Sequence, residues 1–312
     1  MKIFYASDTH AAESTFRKFT NAGPFYKADM VIYGGDFVGK AVVPIVKTKD
    51  GYYEATYYGS TVRIKDEKEL PDLQKTLRDA GFYWVILSEE EIDRIDENDV
   101  ERITKELQIK QIEEWTKLMD ERFKKNGIPC VITPGNDDPF YIDDYLNKME
   151  YVKNGDGKVV EMKGFEPLSL SYGHPTIFKY PRDISEEELT EKIDKLAEQV
   201  KNMDKCIFNI HVPPKDTDLD QDTLYDEDLN PILDGDSLAT GPVGSTAVAE
   251  AIKKYQPLLS LHGHVHPSRG ISRIGRTICV NPGSNYDEIQ LRGCLIDVTN
   301  KGEVETPTLT SG

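Results

Sequence analysis

Seven side chains of metal-binding type lie in five short segments that are far apart in the chain. They are Asp8, His10, Asp36, Asn136, His211, His264 and His266. Imidazole and carboxylate groups together suit transition metals such as Mn, Fe and Zn, whereas Mg and Ca prefer all-oxygen sites. Seven donors exceed the needs of one tetrahedral ion, but two ions about 3.5 to 4 Å apart, sharing a bridging carboxylate, would use them all. The sequence therefore predicts a dinuclear metal site.

Each donor segment ends or directly follows a run of residues that is typical of a buried strand. The predicted strands are Lys2 to Ser7, Met30 to Tyr33, Ile128 to Thr133, Lys205 to Val212 and Pro257 to His262. Nearly continuous apolar runs are typical of sheets that are covered on both faces. Loops at the carboxyl ends of parallel strands converge on one crevice. We therefore expect the seven donors to meet there.

Helical patterns separate several of these strands. Ser185 and Glu188 form a predicted capping box at the start of an amphipathic helix. A longer helix is predicted from about Asn98 to Asn126, ended by Gly127, and another over 245–255. Alternating strands and helices indicate an α/β fold.

Two regions interrupt this alternation and are predicted to be insertions into a single domain of residues 1–312. The first covers approximately 41–95 and begins with a hairpin at 41–64, and the second is the acidic segment 213–244. A further hairpin is predicted at 152–162.

The first hairpin is rich in tyrosine. Its tyrosines are Tyr52, Tyr53, Tyr57 and Tyr58. They either pack the hairpin onto the domain or form a cap that stacks a base or an aryl group.

The composition limits the classes of protein that fit. The chain has 312 residues, a charged fraction of 30% and a formal net charge of −17. This charge argues against binding nucleic acid through phosphate neutralisation. No apolar run approaches the roughly 18 residues of a membrane span. The N-terminus lacks the features of a signal peptide, and the four cysteines lie in apolar runs, so we expect buried thiols and a cytoplasmic location.

The order of the motifs, D-x-H, G-D, G-N, H and G-H-x-H, resembles that of the calcineurin-like metallophosphoesterases over residues 8 to 266. The segment "VNPGSNY" at 280–286 resembles the closing strand and turn that are common in the small bacterial and archaeal members. The resemblance implies a four-layer α/β/β/α sandwich in which helices flank two mixed sheets. It also implies hydrolysis of a small phosphoester.

The resemblance also implies a role for each donor. Carried over by position, Asp8, His10 and His266 hold the first metal, Asn136, His211 and His264 hold the second, and Asp36 bridges the two. A bridging hydroxide then attacks phosphorus in line. Among Mn, Fe and Zn, we expect Mn.

One position departs from the family pattern. Family members usually have Gly-Asn-His followed by an acidic residue, but this chain has "GNDD" at 135–138. Asp137 and Asp138 are our candidate catalytic residues, sharing a proton so that Asp137 acts as a general acid. Two other hypotheses remain. Either the leaving group needs no acid, or the site binds metal and hydrolyses poorly.

The charge at this position also bears on the substrate. A diester brings one negative charge past Asp137 and Asp138 and a monoester nearly two, so we expect a phosphodiester or a nucleotide-type compound. The alternative function is a catalytically weak or inactive binding scaffold on the same fold, although the retention of all seven donors argues against it. Outside the donor set, we expect His262 to be a core or outer-sphere histidine and His174 to be a turn residue.

Overall fold

The computed structural model describes all 312 residues. The strands, in chain order, are β1 (Lys2–Ala6), β2 (Met30–Tyr33), β3 (Val42–Lys47), β4 (Tyr53–Tyr57), β5 (Ser60–Ile64), β6 (Tyr83–Ser88), β7 (Cys130–Ile132), β8 (Lys153–Asn154), β9 (Lys158–Val159), β10 (Glu166–Leu170), β11 (Cys206–Ile210), β12 (Gln221–Thr223), β13 (Leu233–Asp234), β14 (Ser237–Leu238), β15 (Thr240–Pro242), β16 (Leu259–Leu261), β17 (Gly270–Ile274), β18 (Thr277–Asn281), β19 (Arg292–Asp297) and β20 (Thr308–Ser311). The helices are α1 (Glu13–Tyr26), α2 (Leu70–Asp79), α3 (Glu89–Ile92), α4 (Glu97–Asn126), α5 (Asp143–Leu146), α6 (Glu186–Ala197) and α7 (Thr246–Tyr255). Short 3₁₀ turns lie at Glu67–Glu69, Phe140–Ile142, Met203–Lys205 and Tyr286–Glu288.

Two mixed sheets form the centre of the molecule. Sheet one has the order β20-β19-β1-β2-β7-β8, in which β1, β2, β7 and β8 run parallel and β19 and β20 are antiparallel. Sheet two has the order β10-β11-β16-β18-β17, with only β17 antiparallel to its neighbour. Both sheets therefore contain a run of parallel strands whose carboxyl ends share one edge.

Apolar side chains bury both faces of each sheet. Ile3, Ile32 and Val131 of sheet one pack against Leu261 and Val280 of sheet two. Continuous burial on both faces explains the uninterrupted apolar runs of the sequence.

Helices cover the two outer faces. On the outer face of sheet one, α1 and α4 pack through residues that include Phe16 and Trp115, whose rings stack with centroids 3.7 Å apart. On the outer face of sheet two, α6 and α7 contribute Leu189, Ile193 and Val248. The layers are thus α/β/β/α, as the resemblance implied.

The predicted helix boundaries agree closely with the structure. The capping box of Ser185 and Glu188 is present at the start of α6, and Ser245 caps α7. Helix α4 ends at Gly127, which has a left-handed φ of 64°. No helix combines the length and the apolar character that crossing a membrane requires.

The region of the first predicted insertion has a sheet and an apolar cluster of its own. Strands β3 to β6 form the order β5-β4-β3-β6, and helix α2 buries Leu70, Leu73 and Leu77 against this sheet. The predicted "KDG" hairpin joins β3 to β4. The second region, 213–244, contains two small antiparallel pairs, β12 with β15 and β13 with β14.

The hairpin predicted at 152–162 is wrong. Strand β8 pairs with β7 in sheet one, whereas β9 lies beside β10, where Val160 N donates to Pro167 O at 2.9 Å. The chain therefore crosses between the sheets. Gly155 lies at the crossing, where a Cβ would stand only 2.8 Å from Val131 Cγ2 and Ser169 Oγ. A turn signal alone does not distinguish this crossing from a hairpin.

Candidate metal centre and active site

The seven predicted donors meet where the carboxyl edges of the two sheets adjoin. Sheet one supplies four of the donors: Asp8 and His10 follow β1, Asp36 follows β2 and Asn136 follows β7. Sheet two supplies the three remaining histidines, His211 after β11 and His264 and His266 after β16. The crevice thus lies between two sheets, each of which contributes one side.

The first group of donors is Asp8, His10 and His266, whose ligand atoms all lie within 4.8 Å of one another. His10 Nε2 is 3.1 Å from His266 Nε2, and His266 Nε2 is 3.5 Å from Asp8 Oδ1. Asp36 lies between this group and the next, because its Oδ2 is 3.5 Å from His10 Nε2 and 3.2 Å from His211 Nε2. This is the position a bridging carboxylate would need.

The second group is Asn136, His211 and His264. His264 Nδ1 is 3.0 Å from Asn136 Oδ1, and the rings of His211 and His264 have centroids 5.5 Å apart. The backbone N–H of His264 donates to Asp8 Oδ1 at 2.9 Å, which ties the two groups together.

Two buried ligand atoms in this cluster have no hydrogen-bond partner. They are Asp8 Oδ2 and His211 Nε2. His211 Nδ1 lies 2.7 Å from the carbonyl oxygen of Gly34 and donates to it, so Nε2 is the ring nitrogen that faces the donor cluster. Buried polar atoms nearly always have a partner. The residues present therefore fit a divalent metal ion.

The neighbouring charges set protonation states that suit a metal. Burial raises the pKa of Asp8, but His266 and His211 outweigh this effect and lower it to about 2. The pKa of Asp36 is also lowered, because His211 and His10 outweigh its burial. Burial lowers the pKa of His264 to about 3. Burial also lowers the pKa of His10 to about 4, although the negative charge of Asp36 opposes this shift. Ionised carboxylates and neutral imidazoles are the forms that bind metal.

His211 and His266 differ from His10 and His264 because nearby carboxylates raise their pKa values despite burial. Burial lowers the pKa of His211, but Asp36 and Asp8 outweigh this effect and raise the pKa to about 10. The proton on His211 Nε2 is therefore one that a bound metal ion would displace.

An outer residue orients the amide of Asn136. Asn136 Nδ2 donates to Asp183 Oδ1 at 2.8 Å, which turns the amide oxygen toward His264. Such outer partners fix the orientation of a ligand.

The backbone at the donors is strained. Four non-glycine donors have a positive φ, namely Asp8 (57°), His10 (39°), Asp36 (55°) and His264 (65°). Such conformations cost of order 1–3 kcal/mol each and cluster at functional sites. The residue types at these positions do not reveal this strain, since none of them is glycine.

The glycines beside the donors serve mainly to make space. A Cβ at Gly263 would stand 2.5 Å from Ser7 Oγ and overlap Asp8 Oδ2, and one at Gly135 would stand 2.5 Å from the backbone nitrogen of Asp36. Neither glycine has a positive φ. The donor loops can therefore approach one another only where side chains are absent.

Asp137 faces the donor cluster and forms an ion pair with Lys40. Its Oδ2 contacts Lys40 Nζ and lies 3.8 Å from His10 Nδ1. Burial lowers the pKa of Lys40, but Asp137 outweighs this and raises it above its usual value. Burial raises the pKa of Asp137 to about 7, with Asp36 adding to the rise and Lys40 opposing it. Lys40 is a residue that the motif analysis missed, although it stands only four residues after Asp36.

Asp138 lies outside the cavity, and no hydrogen bond joins its carboxylate to that of Asp137, as the predicted proton-sharing pair would require. Its carboxylate accepts hydrogen bonds from the backbone N–H groups of Phe37, Val38 and Gly135 at 2.9 to 3.0 Å. The side chain is fully buried and does not line the cavity described below. These bonds join the loops that carry Asp36 and Asn136.

The buried side chain of Arg182 holds the "GNDD" loop from behind. Its Nε donates to the carbonyl oxygen of Asp138 at 2.7 Å, and its Nη2 donates to Asp143 Oδ1 at 2.6 Å. Its backbone N–H donates to the carbonyl oxygen of Asn136 at 3.0 Å. Nothing in the sequence pattern distinguishes this arginine from a surface residue.

A cavity of about 590 Å³ opens over the donor cluster. His10, Asp36, Asn136, Asp137, His264 and His266 line one end of it, with Lys40 beside them. The tyrosines of the first hairpin do not line it, since Tyr53 is buried in the insertion and Tyr57 and Tyr58 pack against Phe82. The aromatic residues that line it are Phe178, Tyr180 and Tyr225.

The two remaining histidines lie in different environments. Both ring nitrogens of His262 have partners, Nδ1 near the carbonyl oxygen of Ile210 and Nε2 near Ser260 Oγ, each at 2.8 Å, so it is the expected core histidine. His174 lines the cavity, and its Nδ1 is buried without a partner. The expected role as an ordinary turn residue therefore does not describe His174 fully.

The chain is similar to known proteins in sequence and in fold. A family model described as calcineurin-like phosphoesterase matches residues 1–268. Uncharacterized protein MJ1162 of Methanocaldococcus jannaschii is 31% identical over 176 residues, which covers 56% of this chain and 70% of that protein. The crystal structure of TT1561 of Thermus thermophilus has a TM-score of 0.54 at 15% identity and covers 100% of this chain and 97% of its own. Another solved structure has a TM-score of 0.61 at 16% identity, and the match covers 99% of this chain and 98% of the other. The match to the family model extends over most of the chain and includes every donor segment, and the chain belongs to the calcineurin-like phosphoesterase family.

Proposed function

We propose that this protein is a dinuclear metal-dependent hydrolase of a small phosphodiester, built as a single domain with insertions at approximately 41–95 and 213–244. The observation that carries the proposal is the pair of buried, unpartnered atoms, Asp8 Oδ2 and His211 Nε2, inside a cluster of donors from both sheets. Membership of the calcineurin-like phosphoesterase family supports the reaction type.

In this proposal the two groups of donors hold one ion each. Asp8, His10 and His266 hold the first, Asn136, His211 and His264 hold the second, and Asp36 reaches both. Bound divalent ions supply Lewis acidity and lower the pKa of water to generate a nucleophile. The mixture of imidazole and oxygen donors suits Mn, Fe or Zn, and we expect Mn.

Lys40 supplies positive charge beside the phosphoryl group. The ammonium lines the cavity next to the donors and is paired with Asp137. It contacts Asp137, which stands at the sequence position of the family's usual histidine. Asp137 thus acts as a positioning residue for Lys40, and Asp138 acts through the three backbone bonds that join the donor loops.

Two features support a diester over a monoester. The Lys40–Asp137 pair carries little net charge, and no arginine lines the cavity to receive a second negative charge. The cavity also extends past the donors along apolar side chains such as Ile177 and Leu224, which suits a second organic ester group.

The test compares bis(p-nitrophenyl) phosphate with p-nitrophenyl phosphate after the apoprotein is loaded with Mn²⁺. We expect a higher kcat/KM for the diester, and two equivalents of metal by elemental analysis. Asp36→Asn removes the shared carboxylate and should abolish turnover, whereas Asp50→Asn on the exposed first hairpin serves as the matched control. Two bound metals without turnover would instead support an inactive binding scaffold.

A further inference from the structure

Three aromatic side chains line the cavity beside the donor cluster, and we call them the aromatic wall: Phe178, Tyr180 and Tyr225. The rings of Phe178 and Tyr180 are stacked with centroids 5.7 Å apart, and Phe178 meets Tyr225 edge to face at 5.6 Å. The first two residues lie between β10 and α6, and Tyr225 follows β12 in the second insertion region. Two segments distant in sequence thus build one surface.

The aromatic wall is open to solvent although it is apolar. Phe178 is 46% exposed and Tyr225 is 38% exposed. Ile177 and Leu224 line the cavity beside these rings. Exposed apolar side chains that cluster in a concave site are typical of ligand contacts.

The aromatic wall continues directly into the charged end of the cavity. Lys40 Nζ lies 4.2 Å from the centre of the Tyr180 ring, and this ring lies 6.3 Å from that of His264. A phosphate held at Lys40 and the donors would therefore have its ester group beside Tyr180 and Phe178. A group of about nucleoside size fits, because cavities of roughly 300–1,000 Å³ enclose drug-sized ligands.

Polar groups interrupt the aromatic wall. His174 Nδ1 is buried and has no partner, and Thr176, Asp222 and Thr223 also line the cavity. A lipid chain would prefer walls without such groups. A heterocycle with N–H and carbonyl groups at its edge uses both the flat aromatic faces and these hydrogen-bonding groups.

We propose that the aromatic wall is a nucleobase subsite, so that the substrate is a nucleotide-derived phosphodiester whose base stacks on Phe178 and Tyr225. The cleavage of that substrate rests on the function proposed above, but the binding of a base does not.

The binding test compares adenosine 5′-monophosphate with ribose 5-phosphate by isothermal titration calorimetry, with and without Mn²⁺. These two probes differ only in the base. Base stacking on aromatic side chains predicts that the nucleotide binds about tenfold or more tightly. Phe178→Ala and Tyr225→Ala should each reduce this preference severalfold.

Phe25→Ala is the matched control, because Phe25 is 76% exposed and lies outside the cavity. It should leave the preference unchanged. Equal affinity for the two probes in the unaltered protein, or a preference that survives both cavity variants, would overturn the proposal.

The turnover test compares thymidine 5′-(p-nitrophenyl phosphate) with ethyl p-nitrophenyl phosphate, which share a leaving group. The nucleobase subsite predicts a higher kcat/KM for the thymidine ester through a lower KM, and loss of this advantage in Phe178→Ala. If neither ester is cleaved, the hydrolase proposal fails, but the calorimetric comparison still shows whether the site binds a nucleobase. If both are cleaved with equal kcat/KM, the hydrolase stands and the subsite fails.

Discussion

Lys40 Nζ contacts Asp137 Oδ2 and lies 4.2 Å from the centre of the Tyr180 ring, at the edge of the metal-donor cluster. The ammonium is therefore held from two sides, by a carboxylate and by an aromatic face. The "GNDD" sequence places an acidic residue beside the donor cluster, and Lys40 neutralises that residue, Asp137. Asp137 does not present an unpaired negative charge to the phosphate.

Removing this cation should weaken the site for every phosphoester. In Lys40→Met, Asp137 is left beside Asp36 without its partner, so we expect kcat/KM to fall at least about tenfold, mainly through KM, as one charge-assisted contact is lost. Steady-state kinetics on bis(p-nitrophenyl) phosphate measures this change.

Conservative variants separate charge from packing. Lys40→Arg should recover part of the activity, and Asp137→Asn should raise KM less than Lys40→Met because the ammonium remains. If Lys40→Met retains its KM, Lys40 does not contact the phosphate.

The hydrogen bond from Asn136 to Asp183 should control metal affinity. Asp183→Ala leaves the amide free to rotate, and loss of such an outer partner typically costs about 10–100-fold in affinity. Competition with a fluorescent chelator measures the affinity for Mn²⁺. We expect the affinity for one Mn²⁺ ion to fall strongly and the affinity for the other to change little. Equal weakening of both ions would argue that Asp183 acts on the fold as a whole.

Arg182 should be a principal determinant of stability. Arg182→Met leaves Asp143 and Asp156 without the buried guanidinium, and breaking a buried pair in this way costs about 3–5 kcal/mol. Urea denaturation measures the free energy of unfolding. Arg102→Met, in an exposed helical pair, is the control and should change this free energy by less than about 1 kcal/mol. Similar losses in both variants would refute the special role of Arg182.

Gly263→Ala should disrupt the metal site by steric overlap. Its Cβ would displace Asp8 and Ser7, so we expect both metals to bind more weakly and turnover to fall. Gly51→Ala is a useful contrast, since that residue has a φ of 84° but open space around it. It should cost of order 1 kcal/mol in stability and leave metal binding intact. Normal metal binding by Gly263→Ala would contradict the packing argument.

The buried thiols predict a fall in stability at alkaline pH. Burial raises the pKa of both Cys279 and Cys294 to about 12. Because an unfolded thiol titrates near pH 8.5, the unfolded state alone loses these protons as the pH rises above that value. Each thiol then lowers the free energy of unfolding by up to about 1.4 kcal/mol per pH unit, an effect that is absent below pH 8.

Urea denaturation at pH 8, 9 and 10 under reducing conditions measures this slope. The double variant Cys279→Ala and Cys294→Ala should have a shallower slope than the unaltered protein. An unchanged slope would mean that other groups cause the alkaline loss.

The sequence predicted the strands and the meeting of the seven side chains at their ends, because both depend on local patterns. The apolar runs before Asp8, Asp36 and His211 reflect burial on both faces of each sheet, and polar residues at strand ends are visible without coordinates. Helix α6 was predictable because its capping box is local. Helix α1 was not predicted, since Gly23 and Pro24 oppose a helix, and the glycine is explained by its packing against Ile128 and Val31.

The residues that the sequence did not reveal act through long-range contacts. Lys40 gains its role from Asp137, about a hundred positions away, and Arg182 from Asp138 and Asp143. The pairing of Asp137 with Asp138 was expected from adjacency alone. In the structure, the backbone N–H groups of Phe37 and Val38 bind the second carboxylate and separate the two.

The donors come from two sheets that share no strand, with Asp36 on one side of the crevice and His211 on the other. Ions held between them would cross-link the two sheets at the edge where their carboxyl ends adjoin. Amide hydrogen exchange in β2 and in β11 should then slow in parallel when metal is added. Mechanical coupling between the two halves of the sandwich would thus depend on the same side chains as the chemistry.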